Sequence, residues 1–282
     1  MNFVHAFWSA PLYNSKFFDI KKGIDLTLAE YALSVQLVHE HGHTITLYTD
    51  NRGAKILDCI PYDEIVVCRN SITDNYHFAA SFKFEALSRM KPGDILIDGD
   101  IMLHKDPVYK ILEETDADIL VSFFEPKSYI DNLKEKNSKV YAKVAELGLP
   151  YGPYDYDTLD GWHNTSIMCF KNEDCKKAYI QQYRDSVAKV GEIDFEDSWP
   201  DLILEQVHLR KLCKANGWKL DMIAEGFPSD EANRYAISIG LLHLGAMKSK
   251  FQSEAIQLLK NKNPELLKTI SERYKQLVAE MA

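Results

Sequence analysis

Short apolar runs that end in turn residues alternate with helical patterns along most of this chain. The runs cover residues 3–8, 44–50, 64–68, 94–100 and 116–124. The centre of one of them, Ile95-Leu96-Ile97, has no polar alternation, which is typical of a strand covered on both faces. Strands that alternate with helices form a parallel sheet flanked by helices. We therefore predict an α/β fold with a Rossmann-like, mostly parallel sheet.

The remaining segments extend this organisation to the end of the chain. Helical spacing is present at 24–41, 81–90, 172–190 and 200–215, and further short strands are predicted at 165–170, 219–223 and 240–244. Residues 125–162 are rich in Tyr, Asp, Lys, Pro and Gly, and predict an excursion over the sheet with one helix near 131–147. Residues 250–282 predict a charged helical tail. We therefore expect one domain at 1–249 and a helical extension at 250–282, which packs on the domain or mediates a homodimer.

Composition excludes several classes of function. The chain has 282 residues and a net charge of −9, which argues against nonspecific nucleic-acid binding because that depends on Lys and Arg. Five cysteines without a Cys-x-x-Cys pair indicate a reduced intracellular protein. No run approaches the ~18 apolar residues of a membrane helix, and the N-terminus lacks a basic leader. The expected protein is cytoplasmic, with no transmembrane segment.

The most informative segment is the pair of aspartates that follows the apolar run at 95–97. Asp98 and Asp100 lie two apart and aim to the same side of an extended segment, while Gly99 leaves room for a ligand. In open α/β sheets, ligands bind beyond the carboxyl ends of the strands. Two close carboxylates suit Mn²⁺ or Mg²⁺, which share such groups with substrate phosphates. The alternative is an ordinary Asp-Gly turn that ends a strand.

One further motif imitates a metal site. His39-Glu40-His41-Gly42-His43 matches the zinc-protease pattern, which requires both outer histidines on one face of a continuing helix. Gly42 and the β-branched run after it end the helix, so the two histidines are expected to diverge. We therefore interpret this segment as the carboxyl end of a helix.

Several segments together resemble a known family. Residues 81–108, SFKFEALSRMKPGDILIDGDIMLHKDPV, resemble the metal-binding region of GT-A fold glycosyltransferases, most closely the retaining enzymes of the glycogenin type. HNTSIMCFKN (163–172) is similar to the strand that lines the sugar and acceptor site of that family, and LLHLGAMKSK (241–250) is similar to its closing His-Gly-Lys motif. LVHEHGHTITLYTD (37–50) looks like the helix and second strand that precede the metal-binding region in that family. Together the four segments match over about residues 1–250 in a consistent order.

The resemblance implies a role for individual residues. It makes Asp98, Asp100 and His243 ligands of Mn²⁺ or Mg²⁺, with Asp98 as an alternative contact to the ribose. It makes Lys83 and Lys248 phosphate contacts. The loop at Ser9 and Ala10 would approach the base and ribose. Asn164 and Gln206 are candidate catalytic residues, and Glu205 is a further candidate for holding the sugar or acceptor.

The implied activity is transfer of a sugar from a nucleotide diphosphate donor, with a UDP-sugar favoured, to a carbohydrate or another acceptor. Two alternatives stay open at this point. A sugar nucleotidyltransferase shares the fold, although SAPLYNSKFF (9–18) is not its usual Gly-rich basic signature. A noncatalytic binding protein on the same fold is the other. The products separate the three functions: a glycosyltransferase releases nucleoside diphosphate, a nucleotidyltransferase makes pyrophosphate, and a binding protein does neither.

Overall fold

A computed structural model describes residues 1–11, 20–126, 142, 146, 161–190, 201–224, 230–244 and 248–280. Within these ranges the side chains of 20–26, 202–203, 230 and 248–254 are not described. Most of the predicted excursion at 125–162 therefore lies outside the described residues, including nearly all of its predicted helix.

The described elements follow the predicted alternation. The strands are β1 (Asn2–Phe7), β2 (Thr44–Thr49), β3 (Glu64–Val67), β4 (Ile95–Ile97), β5 (Ile101–Leu103), β6 (Ile119–Pro126), β7 (Gly161–Phe170), β8 (Leu220–Ala224) and β9 (Leu241–His243). The helices are α1 (Ile20–Glu40), α2 (Asn51–Leu57), α3 (Ser81–Leu87), α4 (Asp106–Glu114), α5 (Glu173–Val190), a π-helical segment (Leu202–Val207) that leads into α6 (His208–Asn216), α7 (Asp230–Ile239), α8 (Lys248–Lys262) and α9 (Pro264–Glu280).

Seven strands form one mixed sheet in the order β3-β2-β1-β4-β7-β6-β8. Its pairings are parallel except at β7, which runs antiparallel to both β4 and β6. The predicted α/β fold class, a mostly parallel sheet flanked by helices, is confirmed. A separate two-stranded ribbon joins β5 to β9. The sequence predicts no strand at β5, and the predicted strand at 240–244 belongs to this ribbon and not to the main sheet.

The sheet separates two apolar layers. Phe3 and Ile95 contribute to the layer that contains α1, whereas Val4 and Leu96 contribute to the layer that contains α3 and α5. Neighbouring residues face opposite sides because side chains alternate along a strand. All four are at most 1% exposed, which explains why β1 and β4 have no polar alternation.

Helix α1 ends as its sequence predicts. Gly42 has a φ of 74°, and its N–H donates to the carbonyl of His39 at 2.9 Å. A glycine adopts this left-handed conformation without a side-chain clash. The histidines of the zinc-protease pattern diverge, since His39 Nε2 lies 2.9 Å from Asp63 whereas the His43 ring packs against Tyr109.

The C-terminal helices pack on the domain. Helices α8 and α9 contact α1, and their buried residues lie in the apolar layer that contains α1: Leu259, Leu266, Ile270 and Leu277. The predicted extension therefore shares the main core. None of the described helices has the length and apolar character needed to cross a membrane.

Candidate functional site

A cleft of about 360 Å³ opens where β1 and β4 end. Trp8 follows β1 in its wall, and Asp98, Gly99 and Asp100 follow β4. Because parallel neighbouring strands end at the same edge of a sheet, the predicted aspartate pair faces this cleft together with the end of β1. Helix α3 and the π-helical segment complete the wall with Lys83 and Gln206.

Lys83 is held between two carboxylates. Its Nζ lies 2.8 Å from Asp98 Oδ1 and 3.2 Å from Glu205 Oε1. Burial alone lowers the pKa of Lys83, but Asp98 and Glu205 outweigh burial and raise the pKa above its ordinary value. The lysine therefore carries a permanent positive charge in the cleft wall.

The Asp98 carboxyl has a perturbed pKa. Burial raises its pKa to about 6, Lys83 opposes that shift, and the nearby Asp100 and Glu205 add to it. The Asp98 backbone N–H donates to Ser166 O at 2.8 Å, which ties the start of the Asp-Gly-Asp turn to β7. The salt bridge to Lys83 means that Asp98 already has a cationic partner.

The space beside Gly99 is filled by the ring of Tyr31. A β-carbon added to Gly99 would lie 2.2 Å from Cε2 of Tyr31, which belongs to α1 and also lines the cleft. The sequence predicts that Gly99 makes room for a ligand. That interpretation is wrong, because the Tyr31 ring fills the space.

His243 reaches Asp100 through the β5–β9 ribbon. The two strands are antiparallel and pair His243 directly with Ile101, the residue after Asp100. The N–H of Leu244 also donates to Asp100 O at 3.0 Å. As a result His243 Nε2 lies 3.7 Å from Asp100 Oδ1, although 142 residues separate them in the chain (243 minus 100, less one).

The predicted metal ligands meet only in part. Over the described ranges no group of three or more His, Cys, Asp or Glu side chains could hold a metal ion. Asp100 and His243 nevertheless offer one oxygen and one nitrogen at short range, and Mg²⁺-type sites commonly take one or two carboxylates and complete their coordination with water and substrate phosphates. The pair therefore fits a cation that arrives with a phosphate ligand, while Asp98 as a third ligand stays a prediction.

Glu205 and Gln206 lie on the π-helical segment, a geometry that is frequent at functional sites. Glu205 is 5% exposed, and its Oε1 accepts a hydrogen bond from Thr165 Oγ1 at 2.6 Å in addition to its contact with Lys83. Gln206 Oε1 is buried and finds no donor among the residues that the structure describes. The segment therefore presents a fixed carboxylate and an available amide oxygen side by side.

Asn164 is fixed within the sheet and is not part of the cleft wall. Its Oδ1 accepts from Ser122 Oγ and from the Ser166 N–H, both at 2.9 Å, and its Nδ2 donates to Glu125 Oε1 at 2.9 Å. Trp162 Nε1 donates to the other oxygen of Glu125. The predicted strand at 165–170 begins earlier than expected, and Asn164 belongs to its buried polar network.

Ser9, Ala10 and Lys248, the remaining predicted donor contacts, are not seen in the cleft wall of the described structure. Ser9 is buried, and its hydroxyl donates to Asp50 Oδ2 at 2.6 Å. The cleft is lined by Trp8 and Pro11, and not by the predicted residues Ser9 and Ala10. Lys248 begins α8, but its side chain is outside the described part of the chain. Its contact with a phosphate stays a prediction.

Comparison with known proteins adds a family and two distant structures. No curated protein matches the chain. A galactosyltransferase, LgtC, in complex with donor and acceptor sugar analogs, matches at 11% identity and a TM-score of 0.38, over 79% of this chain and 73% of that one. The apo structure of WbbM, a bifunctional glycosyltransferase, matches at 13% identity and a TM-score of 0.40, over 97% of this chain and 51% of that one. At these scores neither match carries an argument about activity. The model of a family of unknown function (DUF6734) matches residues 1–279, and the chain belongs to that family.

Proposed function

We propose that the chain is a glycosyltransferase that takes a sugar from a nucleotide diphosphate donor, a UDP-sugar by preference, with the help of Mn²⁺ or Mg²⁺. The observation that carries the proposal is the convergence of Asp98, Asp100, Lys83 and Gln206 on one cleft at the carboxyl end of β4, with His243 drawn against Asp100. The acceptor would be a carbohydrate or another hydroxyl compound. A cytoplasmic location and a homodimer remain predictions from the sequence.

The charge of the cleft supports a requirement for a cation. Its described wall carries five carboxyl side chains, from Glu30, Asp98, Asp100, Asp201 and Glu205, and one ammonium group, from Lys83. A nucleoside diphosphate is an anion, and like charges repel strongly in a partly buried site. Asp100 and His243 would hold a divalent cation there. When bound, the cation supplies positive charge to the leaving diphosphate.

Lys83 would provide the second positive charge. It is held in place before the donor arrives, because Asp98 and Glu205 fix its ammonium group within 3.2 Å. A phosphate oxygen would replace part of this contact, and the lysine would not need to reorganise during the reaction. Charge that is fixed in advance in this way accounts for much of the rate enhancement of many enzymes.

Gln206 would act at the sugar. Its amide oxygen carries partial negative charge, is buried in the cleft wall and has no hydrogen bond to a described residue. Such an oxygen stabilises the positive charge that develops on a sugar ring as the bond to the diphosphate lengthens. Glu205 sits beside it, but Lys83 and Thr165 occupy its Oε1. We therefore assign Glu205 to positioning and Gln206 to the reacting sugar.

The decisive test is calorimetric titration of UDP into the protein with and without Mn²⁺. We expect binding only with the metal, loss of that binding in Asp100→Asn, and parent-like binding in the control Asp74→Asn, whose side chain is exposed. Unchanged affinity of Asp100→Asn for UDP and Mn²⁺ would reject the site. Incubation with a panel of nucleotide sugars then identifies a glycosyltransferase, since release of nucleoside diphosphate indicates transfer of the sugar to water. Incubation with nucleoside triphosphates and sugar 1-phosphates identifies a nucleotidyltransferase, since that reaction releases pyrophosphate.

A further inference from the structure

Asp201 joins three helical segments at the cleft. It is the residue before the π-helical segment, and its carboxylate lines the cleft. Its Oδ2 accepts from the N–H of Ala80, the residue before α3, at 2.9 Å. Its Oδ1 accepts from the hydroxyl of Tyr183, in α5, at 2.6 Å. The Asp201 carboxylate thus connects the start of α3 and the start of the π-helical segment to each other and to α5. Both of these segments carry candidate site residues.

The two connected segments carry the charged pair of the site. Lys83 lies three residues after Ala80, and Glu205 lies four residues after Asp201, so each is about one helical turn from the connection. We propose that Asp201 is a positioning residue: it fixes the start of α3 against the start of the π-helical segment and thereby sets the Lys83–Glu205 pair. Its role in donor binding rests on the proposed function, whereas the connection itself does not.

The electrostatics of Asp201 give the proposal a pH signature. Burial raises the pKa of Asp201 to about 7, although the hydrogen bonds from Ala80 and Tyr183 lower it, while Glu205 adds to the increase and Lys83 reduces it. Among the described residues, the charged or titratable groups that interact with it are Lys83 from α3, Tyr179 and Tyr183 from α5, and Glu205 from its own helical segment. The carboxylate forms as the pH rises through neutrality. A carboxylate is the stronger acceptor for the Ala80 N–H, so the connection should tighten with rising pH.

Amide hydrogen exchange of the ligand-free protein tests the connection directly. In the parent, protection of the Ala80 amide should rise by roughly five- to tenfold as the pH increases through 7, the change expected for one hydrogen bond. Asp201→Asn keeps a carbonyl oxygen without a charge, so its protection factor should not depend on pH. Asp201→Ala should lose protection at every pH, and the exposed control Asp185→Asn should follow the parent. Equal protection of Ala80 in all four proteins would overturn the proposal.

Binding of UDP with Mn²⁺ between about pH 6 and pH 8 tests the functional consequence. The parent should bind more tightly at the higher pH, and Asp201→Asn should show a weaker dependence, because Asp98, whose pKa is about 6, titrates in both proteins. An identical pH dependence in the two proteins would overturn the proposal. A parent that binds more weakly at the higher pH would show that the added negative charge outweighs the connection, and this would also overturn the proposal. Circular dichroism confirms that each variant is folded. If the parent binds no UDP at all, the donor proposal fails, while the exchange experiment still decides the role of Asp201.

Discussion

Replacement of Lys83 by methionine should destabilise the fold because two carboxylates then lose their partner. The Lys83 side chain is 19% exposed, and the Asp98 and Glu205 side chains are 29% and 6% exposed. Asp98 retains access to water, so its share of the loss should resemble that of a surface pair, about 1 kcal/mol or less. Glu205 is buried, and a buried charge left without its partner costs more, about 2–3 kcal/mol. We therefore expect Lys83→Met to lower the free energy of unfolding by about 3 kcal/mol.

A second substitution separates the charge effect from a packing effect. In the double variant Lys83→Met, Glu205→Gln the glutamine is neutral and still offers its amide oxygen to Thr165. It should therefore recover most of the Glu205 share, about 2 kcal/mol. Lys110→Met is the matched control, because Lys110 pairs with Glu114 on the surface and is 70% exposed. It should leave stability nearly unchanged.

Urea denaturation at neutral pH, followed by circular dichroism, measures all four proteins. The reasoning is refuted if Lys83→Met loses less than about 1 kcal/mol, or if Glu205→Gln makes the single variant less stable still. The first result would mean that water screens the pair far better than its burial indicates. The second would mean that Glu205 is needed for its contact with Thr165 and not only for its charge.

The remaining predictions address the site and the core. Gly99→Ala should lower the free energy of unfolding by about 1–3 kcal/mol in urea denaturation, since its β-carbon would overlap the Tyr31 ring. Adding Tyr31→Ala should relieve part of that cost. Strictly additive losses in the double variant would contradict the overlap. His243→Ala should weaken Mn²⁺-dependent binding of UDP, measured by calorimetry, by roughly tenfold or more. If the variant binds UDP with normal affinity but has a strongly lowered melting temperature, His243 is a core residue instead. Burial lowers the pKa of His5 to about 3, so the unfolded chain binds a proton there first and stability should fall as the pH drops below about 6.5. His5→Gln should flatten that acid branch of the stability profile, and an unchanged branch contradicts the assignment.

The apolar strands and the Asp-x-Asp pair were predictable because each has a local signature. An unbroken apolar run before Asp98 indicates a buried strand that ends at the sheet edge, and the structure places that edge in a cleft. Strand β5 escaped prediction because three residues between a turn and a helix have no periodicity of their own, and its pairing with β9 is long-range. The antiparallel direction of β7 likewise has no local signature in the sequence. In the sequence, Tyr31 is one of several apolar residues at helical spacing in α1, and nothing there predicts its contact with Gly99.

The proximity of His243 to Asp100 came from resemblance alone, and the β5–β9 ribbon now gives it a physical cause. Because β5 begins directly after the Asp-Gly-Asp turn, any strand that pairs with it in this register must bring its terminal residue beside Asp100. The register is fixed by burial of Ile101 and Leu241, since a shift by one residue would turn these apolar side chains outward. A polar substitution such as Leu241→Ser should therefore weaken metal-dependent UDP binding without touching the cleft, whereas the same change at the exposed Ile237 should not. Normal binding by a folded Leu241→Ser protein would show that the ribbon is not what holds the histidine in place.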